Sequence, residues 1–380
     1  MDEFATRRRV LGTLAAVGLS GCLRNTSQTQ SIKTQTQSHH TRTDTDSQTT
    51  VPEWSLSFSA PPTTQPVIRD GTAFVGSTNH RLYAIDTATG TEQFATDVGD
   101  QVGYGLAYRQ GTIYGSSRAG IFGVDATGGD VVLSTSNRFT GFGTETPLVG
   151  DGRLYYPGGS LLSAIDTDTG GSLWESRSAA WGGSPALADG TLVVSDAGNV
   201  DTTPSDRSRV FGLDPEKGTV QWETRIESDS LVSAVALSAD GQTAVLSGRY
   251  GMTAAFDTNT GDELWRATID RGGNVHSNPI IIGKTVIVPQ GNSGLYGYSL
   301  SDGDLRWTEL ADRDVGYRVG SSGGRAIIAA DSVYEIQPSN GSIVTRYDLS
   351  PPIAEGLLPA LTENGLIYPS NDSSVRRVPR

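Results

Sequence analysis

The chain has 380 residues, with 29 lysines and arginines against 42 aspartates and glutamates, a formal charge of −13. Phosphate binding needs clustered positive charge, so this balance argues against nucleic acid as a partner, and 47 glycines with 19% charged residues argue against a coiled coil or a mostly helical fold. Cys22 is the single cysteine, which excludes an internal disulfide and a cysteine-built metal cluster, and four histidines leave little for a histidine metal site.

The first segment reads as an export address. Arg7-Arg8-Arg9 precedes ten mostly apolar residues, Val10 to Leu19. That run is too short to cross a bilayer, and a basic segment before a short apolar core is the pattern of an export signal. Paired arginines beside the apolar core resemble a twin-arginine signal. Leu19-Ser20-Gly21-Cys22 resembles a lipobox, so Cys22 is expected to carry lipid and to anchor residues 23–380 on the outer face of the cell membrane. Residues 23–52 are mostly Thr, Ser, Gln, Asp and His. With so little to bury, they are expected to form a disordered polar tether. The acid excess, with only Lys33, Lys217 and Lys284 as lysines, resembles a surface adapted to high salt.

The rest of the chain, 53–380, is one pattern repeated. Asp86, Gly90 and Phe94 stand four residues apart, and the frame recurs at Asp125, Gly129, Leu133, at Asp166, Gly170, Trp174, at Asp214, Gly218, Trp222 and at Asp257, Gly261, Trp265. Weaker copies follow at Ser299, Gly303, Trp307 and at Gln337, Gly341, Thr345. Successive copies lie 39, 41, 48, 43, 42 and 38 residues apart, a period typical of propeller blades. Within each copy, short alternating runs are separated by turns such as Asp70-Gly71, Asp151-Gly152, Asp189-Gly190 and Asp240-Gly241, the signal of hairpins. Each copy therefore predicts a four-stranded blade. An eighth copy runs from Leu357 to Val378 without an aromatic fourth strand. Glu53-Trp54-Ser55-Leu56 has that strand's character, and pairing it with the last blade would close the ring and leave no exposed edge there. The expectation is an all-β, eight-bladed propeller closed by the N-terminal strand, with a seven-bladed ring and a stray C-terminal hairpin as the alternative.

Ala84-x-Asp86-x-x-Thr89-Gly90-x-x-x-Phe94 is similar to the tryptophan-docking motif of pyrroloquinoline-quinone (PQQ) type propellers. Ala164 to Trp174 and Ala255 to Trp265 match it at every defined position, while Gly212 to Trp222 departs at the alanine and threonine positions. The resemblance implies that Asp86, Gly90, Asp166, Gly170, Trp174, Asp214, Trp222, Asp257, Gly261, Trp265 and Trp307 are structural docking residues. The family includes quinoprotein dehydrogenases, which carry adjacent cysteines and a calcium cluster. This chain has no cysteine pair and lacks length for cofactor-covering loops, so no cofactor is expected and PQQ with calcium stays the alternative. The non-enzymatic branch includes the lipid-anchored BamB-type scaffold that assists outer-membrane protein assembly. The resemblance thus implies a non-catalytic cell-surface scaffold for exported proteins or ligands, with a PQQ-dependent or sugar-acting extracellular enzyme as the second reading. The expected partners are the membrane, through Cys22, and an exported protein or peptide bound by a monomer.

No His-Glu-x-x-His or phosphate-binding loop occurs in the sequence, and no catalytic or metal residue is assigned. Asp302-Gly303-Asp304 falls in a blade turn, and Asp312-Arg313-Asp314 reads as a solvated loop. A binding face is assigned by geometry instead. Loops joining one blade to the next open on one end of the ring, and they carry Gln101, Tyr104, Phe142, Glu145, Trp181, His276, Tyr317, Arg318 and Glu355. An insertion at 196–209, between the second and third strands of the fourth blade, opens on the same end. Aromatic, arginine and histidine groups around a funnel suit a polar ligand or an extended peptide.

Overall fold

A computed structural model describes residues 29–32, 51–135, 146–158, 161–177, 183–196, 208–226, 234–248, 251–269, 278–311, 313–316 and 318–380. They form eight sheets of successive antiparallel strands, with one three-residue 3-10 turn at Gly291–Ser293. Taking the first blade as the pattern, its strands are Val67–Arg69, Thr72–Gly76, Arg81–Asp86 and Glu92–Asp97. The turns explain the hairpins. A two-residue turn that matches strand twist needs positive φ at both central residues, and Asp70 and Gly71 adopt 47° and 77°, Asp151 and Gly152 53° and 71°.

First strands of adjacent blades touch one another and line the axis; fourth strands form the rim. The core is divided accordingly. Each of eight apolar clusters lies between two neighbouring blades rather than inside one. Ile367 and Val375 of the last blade pack with Ala73, Val75, Tyr83 and Ile85 of the first, so the apolar belt is continuous around the ring. Closure comes from the N-terminus, as the sequence predicts. Trp54–Ser57 pairs antiparallel with Ser374–Pro379, with Trp54 opposite Arg377 and Ser57 opposite Ser374. Four residues of the segment expected as a tether, Thr29–Ile32, add a parallel fifth strand to the rim of the fifth blade.

The repeated frame does two jobs. In each of five turns, at Asp86, Asp125, Asp166, Asp214 and Asp257, an aspartate gathers the backbone N–H groups that the bend leaves unpaired. The Asp86 carboxylate accepts from the Ala88 and Thr89 amides at 3.0 and 2.8 Å and from the Thr89 hydroxyl at 2.8 Å. Asp166, Asp214 and Asp257 repeat the arrangement. The Thr89 amide, then its hydroxyl, hold the Asp86 carboxyl below its ordinary value. The second job joins blades. The Trp265 ring lies on Gly303 of the next blade, where a Cβ would come within 2.5 Å of it, and Gly303 has φ +76°. Only glycine meets both conditions. Trp265 also donates its indole N–H to the Leu300 carbonyl at 2.8 Å. Trp54, Trp174, Trp222 and Trp307 donate likewise to Thr87, Pro215, Thr258 and Pro338. A register shift falls at the same place in seven of these outer hairpins, opposite the docking position.

One junction differs. The last blade draws its third and fourth strands from opposite ends of the chain, so it has no connecting turn for the seventh blade to dock on. Thr345 occupies the seventh blade's docking register, opposite Glu335, where the first six blades place alanine or glycine. Glu335 is fully buried. It accepts from the Tyr347 hydroxyl at 2.6 Å and pairs with Arg380 of the last blade at 2.8 Å. Burial, then the Glu335 contact, pushes the Tyr347 phenol up. An ion pair thus spans the junction whose docking position holds threonine.

Trp265→Ala is expected to destabilise the ring by about 3–5 kcal/mol, as a buried large-to-small change. Arg380→Ala is expected to cost about 2–3 kcal/mol, less than a fully buried pair because Arg380 is 37% exposed. Deleting residues 51–60 is expected to lower Tm on the order of 10 °C, whereas deleting 33–45 leaves it unchanged. Thermal and urea unfolding followed by circular dichroism measure all three; equal Tm for the two deletions would contradict N-terminal closure.

Candidate functional site

The two ends of the ring are chemically distinct because different connections reach them. At one end the outer-hairpin turn of five blades is held against the inner-hairpin turn, as in Thr87 N–H to the Gly71 carbonyl at 2.8 Å and Thr167 N–H to the Gly152 carbonyl at 3.0 Å. At the other end the inter-blade loops are held against the turns between second and third strands. Val98 donates to the His80 carbonyl at 2.9 Å, Val315 to Gly291 at 3.1 Å and Ala354 to Pro369 at 2.9 Å. The first end repeats one turn; the second carries the loops in which the copies differ.

Gln101, Tyr104, Arg318 and Glu355 all lie at that second end. The Gln101 amide donates to the Asp100 carboxylate at 2.6 Å, and Asp100 lies 3.8 Å from His80. Tyr104 stands on the strand Val102–Arg109, where pairing is interrupted between Val102 and Leu106. The interruption places Tyr104 in the open at 39% exposure while Val102 and Leu106 stay buried. Gly105 backs on Thr146 of the next blade, whose side chain a Cβ would meet at 2.4 Å. Arg318, half-buried, immediately precedes the innermost strand Val319–Ser322, and Glu355 is exposed in the loop before the last blade. Phe142, Glu145, Trp181, His276 and Tyr317 lie outside the described residues, as does the 197–207 interior of the insertion. Its ends are joined: buried Asp196 pairs with Arg209 at 2.6 Å, and the Arg209 guanidinium lies 5.0 Å from the Phe211 ring.

A cluster that the sequence reading did not single out lies on the same end. Arg313, read there as part of a solvated loop, is tied to Asp331 in the turn of the seventh blade and donates to the Tyr334 hydroxyl at 2.7 Å. That hydroxyl donates to Asp331 at 2.8 Å. The guanidiniums of Arg313 and Arg346 lie 5.7 and 5.9 Å from the Tyr334 ring centre, within cation–π range. Burial pushes the Asp331 carboxyl up, but the Tyr334 hydroxyl and the Arg313 guanidinium more than offset it and leave it below the ordinary value. Burial, then the Asp331 contact, raises the Tyr334 phenol. A carboxylate held ionised and a phenol held protonated offer hydrogen bonds near neutral pH, not proton transfer. The loop before this cluster carries Leu310 at φ +52°, a strained conformation for a branched residue, buried with Trp307 and Val315.

A PQQ–calcium centre was tested against the residues present. Among the described residues no three His, Cys, Asp or Glu side chains approach closely enough to hold a metal, and the sequence contains one cysteine. The described residues do not fit that group. A groove of about 620 Å³ on the opposite end, between the third and fourth blades, is walled by Arg153 and Tyr155 and by Asp189, Asp214 and Glu216.

Comparison with known proteins follows the same lines. A family model described as outer membrane protein assembly factor BamB matches residues 93–235 and 158–357. The outer membrane protein assembly factor BamB of Burkholderia pseudomallei is 24% identical over 327 residues, covering 80% of this chain and 82% of that protein. The crystal structure of BamB from Moraxella catarrhalis superposes with a TM-score of 0.66 at 15% identity, over 87% of this chain and 100% of that one. The quinohemoprotein alcohol dehydrogenase of Comamonas testosteroni gives 0.62 at 13% identity, over 87% of this chain but 76% of that one.

Asp331→Asn removes the charge that opposes ionisation of Tyr334, so the phenol is expected to titrate at lower pH while remaining raised by burial. Ring-labelled tyrosine NMR, with Tyr334→Phe to assign the signal, reads the shift. The stabilisation from the raised phenol is fully present below about 10, the ordinary tyrosine value, and is lost as pH rises through the folded value.

Proposed function

Because the chain belongs to the PQQ-repeat family described as outer membrane protein assembly factor BamB, we propose that it is a non-catalytic scaffold that binds exported proteins at the funnel end of its ring. The observation that carries this reading is how the repeated polar chemistry is used. The turn aspartates hold their own turn amides, and the indole N–H groups hold carbonyls of the next blade. What recurs is structural, and selectivity falls to the loops where the copies differ. The full-length correspondence with a BamB structure supports the same reading, since the dehydrogenase chain extends well beyond the shared propeller.

The leader supports a location. Arg7-Arg8-Arg9, the short apolar run and Ser20-Gly21-Cys22 fit an exported lipoprotein whose Cys22 holds it to the outer face of the cell membrane. A single propeller so anchored needs no second copy and no cofactor to present its funnel to chains leaving the membrane. Aromatic and arginine side chains within a polar rim are the usual anchors of such contacts, and Tyr104, Trp181, Tyr317 and Arg318 supply them.

Cys22→Ser is expected to release the protein to the medium or leave an unprocessed precursor; unchanged processing and membrane retention would contradict the anchor. In intact cells, cross-linking followed by mass spectrometry is expected to recover an exported protein with the native chain. Combined Tyr104→Ala, Trp181→Ala and Arg318→Ala is expected to reduce that recovery at least tenfold. Thr169→Ala with Asp262→Ala, on the opposite end, is expected to preserve it. Loss with the second set and retention with the first, both folded, would place the binding face elsewhere.

A further inference from the structure

A propeller rim is a ring of sheet edges, and each edge strand presents unpaired backbone donors and acceptors to solvent. The fifth blade's rim strand, Glu263–Ile269, has seven residues. It is partnered on its outer side by Thr29–Ile32, which runs parallel to it with Thr29 opposite Arg266, Gln30 opposite Ala267, Ser31 opposite Thr268 and Ile32 opposite Ile269. Four of the seven rim positions are thereby covered. Among the described residues nothing pairs with the outer side of Glu263 to Trp265, and Leu264 there is 51% exposed.

The geometry points to the fifth-blade rim as a strand-accepting site for extended polypeptide, filled in cis by the chain's own residues 29–32. We propose that its trans occupant is an unfolded segment of an exported protein, lying parallel to Glu263–Ile269 over its whole length. The inference rests on the scaffold reading above and adds to it a second, backbone-recognising surface.

Three features fit an exchangeable occupant. Strand addition draws its affinity from main-chain hydrogen bonds, so it accepts many sequences that contain no proline. The cis strand, Thr-Gln-Ser-Ile, pairs with four of the seven rim residues. Its advantage is tethering: 21 residues separate Ile32 from Trp54, and a linker of that kind sets an effective concentration on the order of millimolar. A trans segment of seven or more residues pairs with the entire rim strand. In the same register, an occupant's residue two positions before the one opposite Arg266 stands opposite Leu264, so an aliphatic residue there would cover exposed apolar surface. The preferred occupant is therefore extended, about seven residues long and aliphatic near its N-terminal end.

The test uses the full chain with Cys22→Ser, alone and with Gln30→Pro and Ser31→Pro. In a parallel pair, alternate residues bond to a given neighbour, so two adjacent prolines must remove one participating N–H. Hydrogen exchange of the Arg266–Ile269 amides is expected to quicken at least tenfold in the proline form. A fluorescent peptide of residues 26–35 is expected to bind that form at least tenfold more tightly than the form with its native strand, and its Ser27→Leu version more tightly still. Reduced, carboxymethylated α-lactalbumin, a permanently unfolded chain, is expected to compete. Equal exchange in the two forms, equal peptide binding, or no gain from Ser27→Leu would each overturn the proposal. So would peptide binding without competition by the unfolded chain, which would leave a clamp for the tether alone. None of these readouts depends on the funnel triple, so failure here and failure of the scaffold reading are separately visible.

Discussion

The structure depends on one repeated contact: a rim side chain of one blade, aromatic at six junctions and Leu133 at a seventh, laid on the turn glycine of the next. A four-stranded blade has two apolar faces and cannot cover either alone, and the eight apolar clusters accordingly each straddle a junction. The indole N–H bonds of 2.8–3.1 Å from Trp54, Trp174, Trp222, Trp265 and Trp307 set the rotation between blades. The turn aspartate serves the same contact by holding the glycine in place. This explains why the frame keeps its +4 and +8 offsets while much else in the copies drifts.

The exception follows from topology. Closing a ring with strands from both chain ends removes one connecting turn, and so removes one docking glycine. At that junction Thr345 replaces the aromatic and Glu335 replaces the small residue beneath it, with Arg380 supplying the charge from the far blade. On the other side of the last blade, Trp54 restores docking by lying on Gly90, and Arg377 reaches the Thr87 carbonyl at 3.1 Å. The ring is therefore closed by a ladder and an indole on one side and by a buried ion pair on the other.

Much of the fold could be read from the sequence because repetition averages out noise: Asp166-Thr167-Asp168-Thr169-Gly170 and Asp257-Thr258-Asn259-Thr260-Gly261 announce the same turn. The aromatic at Trp54 was enough to place the closing strand, since one copy lacked its own. The ion pair at Glu335 was harder. It joins the two weakest copies, although a glutamate in a register of alanines and glycines was itself a signal. Thr29–Ile32 has no periodicity to reveal a strand, being paired through its backbone. The placement of Gln101, Tyr104, Arg318 and Glu355 at the funnel end could be read because loop position follows from topology. The Arg313–Asp331–Tyr334 cluster was missed because it depends on side chains about 20 residues apart meeting across a turn, which no repeat encodes.

Blade-resolved hydrogen exchange on Trp222→Ala tests the account most directly. If docking is what couples neighbours, the amides that Asp257 holds at Asn259 and Thr260, together with Gly261, will exchange faster although they belong to the next blade. The first and second strands of the mutated fourth blade, Ala186–Ala188 and Thr191–Asp196, will change little. Faster exchange confined to the fourth blade, with the Asp257 turn unchanged, would contradict the claim that the aromatic contact holds the ring together.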